Sequence, residues 1–151
     1  MTHVDFGTHF PSGQLIDKDG GCELQPENYE YIGLYFSAHW CPPCRGFTPD
    51  LKKLYETKSD EDGKKLQIVF ISSDRDETSF SEYFGEMPWI ALKYNDRDGK
   101  AKLSSLFEVT GIPTLVILDK NGDLVTKDGR SGASGCNSAG DFVKWCRKQK
   151  K

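Results

Sequence analysis

Residues 30–47, Glu30-Tyr31-Ile32-Gly33-Leu34-Tyr35-Phe36-Ser37-Ala38-His39-Trp40-Cys41-Pro42-Pro43-Cys44-Arg45-Gly46-Phe47, decide the fold. Glu30 to Phe36 is a short apolar and aromatic run bounded by polar residues, the pattern of a buried strand. Beyond it, Phe47, Leu51, Leu54 and Tyr55 fall along one stripe of a helix that the spacing predicts from about Cys41 to Lys58. Leu66 to Ile71 repeats the strand signature, and strand, helix and strand make a βαβ unit with a right-handed crossover.

Outward from that unit, Asp76 is placed to cap a short helix in which Phe80, Tyr83 and Phe84 share a face before Gly85. Leu103, Leu106 and Phe107 repeat the pattern in a helix that stops before Gly111. Thr114 to Leu118 reads as a third strand, joined by the Asn121-Gly122 turn signal to an edge strand near Asp123 to Thr126. Phe142, Val143, Trp145 and Cys146 give a C-terminal helix an apolar face to cover the sheet, and the tail Arg147 to Lys151 reads as its frayed end. The expected order is β-α-β, a helical insertion, then β-β-α, in a single domain over 1–151. A chain of 151 residues with 36% hydrophobic content is long enough to bury a core without a metal or disulfide staple.

The bulk numbers exclude several classes of function. Lys and Arg number 20 against 23 Asp and Glu, a net charge of −3 with no basic block, so the chain lacks the footprint of a nucleic-acid binder. The longest apolar runs are far shorter than a membrane span, and the first residues lack a charged stretch followed by an apolar one. A cytoplasmic protein is expected, with the nucleus as a second compartment. Five cysteines is an odd number for a secreted disulfide framework. Only Cys41 and Cys44 are closely spaced, which points to catalysis or metal binding at that pair.

A CxxC opening a helix straight after a strand sets its first sulfur beside unpaired backbone N–H groups and the positive end of the helix dipole. In such settings a cysteine pKa falls from about 8.5 into the range of roughly 3.5 to 7.5, which makes Cys41 the candidate nucleophile. Pro42 and Pro43 stiffen the spacer and suit a first helical turn. Cys44, one turn in and shielded, is the candidate resolving thiol. Trp40 offers a flat apolar wall beside the sulfur, or else a half-buried core aromatic. The competing reading of the motif is a zinc half-site, but no second pair completes it, because Cys136 and Cys146 are ten apart and His39 is too near the motif. Cys22 and Cys146 read as small packing residues, and Cys136 as a thiol in a Ser/Gly-rich loop.

Three stretches together, Trp40 to Pro49 (WCPPCRGFTP), Met87-Pro88-Trp89 and Gly111-Ile112-Pro113-Thr114, resemble the nucleoredoxin and tryparedoxin branch of the thioredoxin superfamily. The resemblance spans roughly Ile32 to Thr126. It implies a thioredoxin fold, an α/β architecture with a central mixed sheet flanked by helices and carrying an extra helical insertion. It also implies dithiol reduction of protein disulfides. Residue by residue, it makes Cys41 the nucleophile, Cys44 the resolving cysteine, Trp40 the motif tryptophan and Pro113 a cis proline facing the disulfide. The Ile112 N–H and C=O would then pair with an extended substrate segment. Pro49 is expected to kink the helix, and Met87-Pro88-Trp89 to order the loop beside the inserted helix.

The sequence also departs from that pattern. Many thioredoxins bury an aspartate six positions before the nucleophile, where this chain has Tyr35, as the tryparedoxin-like members do. Asp74 resembles the acidic residue of the tryparedoxin Trp-Asp-Glu segment, which here reads Ser73-Asp74-Arg75. Arg130 matches a family arginine near the substrate edge, or is a solvated loop charge. Tyr35, Asp74 and Arg130 are therefore accessory candidates.

The expected activity is a protein-disulfide reductase cycling a Cys41-Cys44 dithiol and disulfide, with no bound cofactor and no metal. Disulfide-containing proteins are the expected partners of a monomer. No GxGxxG flavin or nicotinamide fingerprint is present, so an external reductant, thioredoxin reductase or a low-molecular-weight thiol, must reset the pair. The alternative is a redox-gated binding module in signalling with little turnover.

Overall fold

The computed structural model describes residues 3–10, 13–57 and 61–149. In chain order the elements are α1 (Phe6–His9), β1 (Leu15–Asp17), β2 (Gly20–Cys22), β3 (Tyr31–Ser37), α2 (Pro42–Glu56) and β4 (Leu66–Ser72). Then come α3 (Glu77–Phe84), β5 (Ile90–Leu92), α4 (Arg97–Leu106), β6 (Thr114–Asp119), β7 (Leu124–Thr126), α5 (Gly129–Ser134) and α6 (Ala139–Gln149). The seven strands form one mixed sheet in the order β2-β1-β5-β4-β3-β6-β7. β3 sits inside it, parallel to β4 and antiparallel to β6.

Every residue of β3 and β4 is buried, as expected of strands covered on both faces, which read as continuous apolar runs. Their alternate side chains serve two cores. Tyr35, Ile68, Phe70, Leu115 and Ile117 face Phe47, Leu51 and Leu54 of α2, Phe80 and Tyr83 of α3, and Phe142 and Val143 of α6. On the other face, Ile32, Leu34, Phe36, Val69 and Val116 pack with Leu103 of α4, with Phe107, and with Val4 and Phe10 of the N-terminal segment.

The predicted βαβ unit, helical insertion and β-β-α ending are all present. Asp76 caps α3 by accepting the Ser79 N–H at 2.7 Å, and Gly85 closes it. Helix α2 runs through Pro49 and its final turn ends at Glu56; the expected end at Lys58 lies outside the described residues, as do Lys150 and Lys151 of the tail.

Three features extend the expected order. The insertion between β4 and β6 carries a strand, β5, which pairs parallel with β4 and antiparallel with β1 of an N-terminal hairpin. A three-residue strand spans little more than one period of alternation, too short to stand out in the sequence. The second addition is that hairpin itself. The third is α5, a six-residue helix with two glycines and two serines, whose Gly132 lies directly under the Trp145 ring. Trp89, at the head of β5, is 2% exposed and meets Tyr35 and Tyr55 edge-on at 6.0 and 5.5 Å between ring centroids. Met87-Pro88-Trp89 therefore acts through packing.

Candidate active site

β3 ends at Ser37, and Ala38, His39 and Trp40 carry the chain to the first turn of α2. Cys41 is the N-cap, in extended backbone at φ −93° and ψ 109°, with Pro42 and Pro43 filling positions where a helix has no internal use for an N–H. The Cys41 Sγ accepts the Cys44 backbone N–H at 3.3 Å, so the sulfur holds the place that a serine or aspartate oxygen takes in an ordinary cap. Cys41 and Cys44 form a disulfide across a Cα–Cα distance of 5.2 Å. Cys41 is 4% exposed and Cys44 fully buried.

Facing the disulfide is the segment before β6. The Ile112–Pro113 peptide bond is cis, and the Ile112 carbonyl oxygen lies 3.8 Å from the Cys41 Sγ. The β3–β6 ladder begins at Phe36 with Thr114, so Ile112 and Pro113 stand just outside it.

Trp40 is the one large hydrophobic exposed among the described residues, at 48%. Its indole N–H donates to the Ser73 carbonyl at 3.0 Å, which fixes the ring as a wall beside the sulfur. A groove of about 520 Å³ runs along that wall past Cys41 and Pro42 to Gly111 and Ile112. Asp74 lies beneath it, 4% exposed, accepting the His39 N–H at 2.7 Å and the Ser72 hydroxyl at 2.7 Å. It is a clamp on the loop that carries the motif.

Arg97 braces the same turn. It donates to the Tyr94 carbonyl and, at 2.9 Å, to the Ser72 carbonyl, and the Tyr94 hydroxyl in turn donates to the Asp74 carbonyl at 3.0 Å. Burial lowers the Arg97 pKa, and Tyr94 and Asp74 oppose that shift. Nothing in the local sequence around Arg97 flags this role, because beyond the neighbouring Tyr94 its partner is Ser72, at the end of β4.

Tyr35 is fully buried on the far side of α2, and its hydroxyl bonds that of Thr48, which also bonds the Tyr83 hydroxyl. Tyr83 reaches Ser37 at 2.8 Å. Burial pushes the Tyr35 pKa well above the usual phenol range, so the position holds a neutral group in a hydroxyl chain. Thr48 follows Cys44 by one helical turn, the only sequence signal that could have linked it to the motif. Arg130 is exposed, its guanidinium 5.9 Å from the Phe47 ring centroid, and it lines a surface cleft with Pro113 and Thr114. The structure thus brings Cys41, Cys44, Trp40, Ile112 and Pro113 together, puts Asp74 behind them and Arg130 at the rim, and leaves Tyr35 buried in its own network.

Among the described residues, no cluster of three or more His, Cys, Asp or Glu side chains is arranged to hold a metal ion. Among the same residues, no helix is long and apolar enough to cross a membrane. Burial raises the thiol pKa of Cys22, Cys136 and, most strongly, Cys146.

A family model described as thioredoxin-like matches residues 28–124. Nucleoredoxin of Danio rerio is 51% identical over 100 residues, covering 66% of this chain and 24% of that protein. Tryparedoxin of Trypanosoma brucei brucei is 42% identical over 105 residues, covering 70% of this chain and 72% of that one. The solved tryparedoxin II of Crithidia fasciculata superposes with a TM-score of 0.77 at 33% identity, covering 85% of this chain and 86% of the other. The fold and the helix-capping disulfide thus define a thioredoxin-type redox protein. The chain belongs to the thioredoxin-like family, in its nucleoredoxin and tryparedoxin branch. It spans about a quarter of the length of the animal nucleoredoxins it matches.

Proposed function

We propose that this chain is a protein-disulfide reductase that cycles its Cys41–Cys44 pair between dithiol and disulfide. The observation that carries the reading is the Cys41 Sγ at the N-cap of α2, accepting the Cys44 N–H and bonded to a cysteine with no solvent exposure. In the reduced protein the same N–H and the helix dipole favour the thiolate, the nucleophilic form.

The Cys41 thiolate attacks one sulfur of a target disulfide. The target S–S bond breaks, and its other sulfur leaves as a thiolate and takes a proton from water. Cys44 then loses its proton and attacks the Cys41 Sγ, releasing the second target sulfur and closing the intramolecular disulfide. Two electrons pass from the dithiol to the target. Trp40 supplies an apolar wall for the incoming chain. The Ile112 backbone, at the end of a strand and next to the sulfur, offers hydrogen-bonding groups to an extended target segment. An external reductant, thioredoxin reductase or a low-molecular-weight thiol, restores the pair. A tryparedoxin II has been solved in complex with glutathionylspermidine, which supports a thiol of the second kind.

Turnover of insulin disulfides, with dithiothreitol as the reductant, tests the reading. Wild type is expected to be active, Cys41→Ser inactive, and Cys44→Ser to accumulate a mixed disulfide through Cys41. Full activity in Cys41→Ser would overturn it. The exposed Trp40 favours a second reading, a binding module gated by the redox state of the pair. Equal capture of a partner by the oxidised and reduced protein would remove it.

A further inference from the structure

We propose that the groove beside Trp40 selects disulfide substrates that carry carboxylates next to the reacting cysteine; this rests on the reductase reading above and adds a substrate class to it. The chain as a whole is acidic, at −3, yet this groove is not. Of the residues that line it, Lys100 is the charged one, and none is a carboxylate. Outside the lining, the exposed Arg75 guanidinium stands 5.2 Å from the centre of the Trp40 ring, a cation–π contact that holds a second positive charge against the wall of the groove.

None of the nearby carboxylates lines the groove. Asp74 is buried and bound to His39 and Ser72. Asp76 caps α3 through the Ser79 N–H. Asp96 caps α4 through the Gly99 N–H at 3.0 Å. Asp98 lines a separate cleft with Thr8 and His9. Helix periodicity explains the split within α4: Lys100 and Ser104, four apart, face the groove, whereas Asp98 and Lys102 face the other cleft. Beyond Pro113 the charges are mixed, Lys127 and Arg130 against Glu108 and Asp128, so a lining of one sign belongs to the Trp40 side.

A substrate strand lying along Trp40 toward Ile112 runs past Lys100 in the groove and the Arg75 held against the Trp40 ring. Glutamates or aspartates flanking its cysteine meet both cations, while lysines there meet repulsion. The groove is open to solvent, so the discrimination is modest, about three- to tenfold, and is screened by salt with a Debye length of about 8 Å at physiological ionic strength.

The test uses two disulfide-linked peptide dimers of equal length, one with Glu and one with Lys on both sides of the cysteine, and dithiothreitol to reset the enzyme. At low ionic strength wild type is expected to show kcat/KM about fivefold higher for the Glu peptide, falling toward parity at high salt. Arg75→Glu/Lys100→Glu is expected to reverse the preference. Equal values, or a preference for the Lys peptide, would overturn the proposal. Affinities of the same peptides for Cys41→Ser/Cys44→Ser separate the two layers. If wild type turns over neither peptide while that variant still binds the Glu peptide more tightly, the reductase reading fails and the charge preference stands. Equal affinities would remove the preference.

Discussion

The Asp74 carboxylate accepts the backbone N–H of His39 at 2.7 Å, tying the end of β4 to the loop that delivers Trp40 and Cys41 to the surface. The same carboxylate takes the Ser72 hydroxyl, and the Trp40 indole reaches the carbonyl of the residue between them. The wall of the groove is thus held by main-chain and side-chain bonds from a neighbouring strand.

Replacing Asp74 by Ala leaves the part-buried His39 N–H without its acceptor and the buried Ser72 hydroxyl, which still accepts the residue-74 N–H, without one for its proton, so a loss of about 1–3 kcal/mol is expected in chemical denaturation. Asp74→Asn keeps an acceptor for His39 and is expected to lose less. An unchanged midpoint in Asp74→Ala would contradict the clamp.

Thr48 joins the Tyr35 and Tyr83 hydroxyls inside the core. Thr48→Val removes their shared partner at nearly constant volume, and a destabilisation of about 1–3 kcal/mol is expected, with Thr48→Ser recovering most of it. A Val variant more stable than the Ser variant would show that methyl packing, not the hydroxyl chain, matters at this position.

Arg147 grips Glu30 with two hydrogen bonds at 2.8 and 2.7 Å and holds its carboxyl below the usual range. A depressed folded-state pKa contributes stability above the unfolded value, near 4.3, and loses it as pH falls through the folded value. Arg147→Ala is therefore expected to cost up to about 1 kcal/mol at neutral pH, an exposed-pair magnitude, and progressively less below about pH 4. Thermal melts of both proteins across pH 3 to 7 check it, and a difference that grows toward acid would have the wrong sign.

Gly122 has φ +90°, and a Cβ there would overlap the Val4 carbonyl. The Val4 N–H donates to the Gly122 carbonyl at 2.7 Å, so the N-terminal segment is laid flat against the β6–β7 turn. Gly122→Ala is expected to destabilise by at least about 1–3 kcal/mol through strain and displaced backbone. A melt indistinguishable from wild type would contradict this close approach.

The sequence made the centre of the sheet legible because β3, β4 and β6 are long apolar runs and α2 carries a regular stripe from Phe47 to Tyr55. The motif and its cap were legible for the same reason, since CxxC, strand and helix are contiguous. β5 and the β1–β2 hairpin were not, because three-residue strands hold no measurable alternation and their pairing joins residues far apart, Leu15 with Leu92. Arg97 and Lys100 were hidden as ordinary charges of an exposed helix. Only the fold places one under Asp74 and the other in the groove. Tyr35 was found by its spacing from Cys41, but its hydroxyl chain depends on Tyr83, which lies 48 positions later.

The most direct test of the dithiol account is the pH dependence of alkylation in the reduced protein, with each cysteine followed by mass spectrometry. Cys41 is expected to react first, with a half-maximal rate at a pH well below about 8.5, while burial keeps the Cys146 thiol protonated and slow. Alkylation of Cys41 no faster than that of Cys22 at neutral pH would contradict the account.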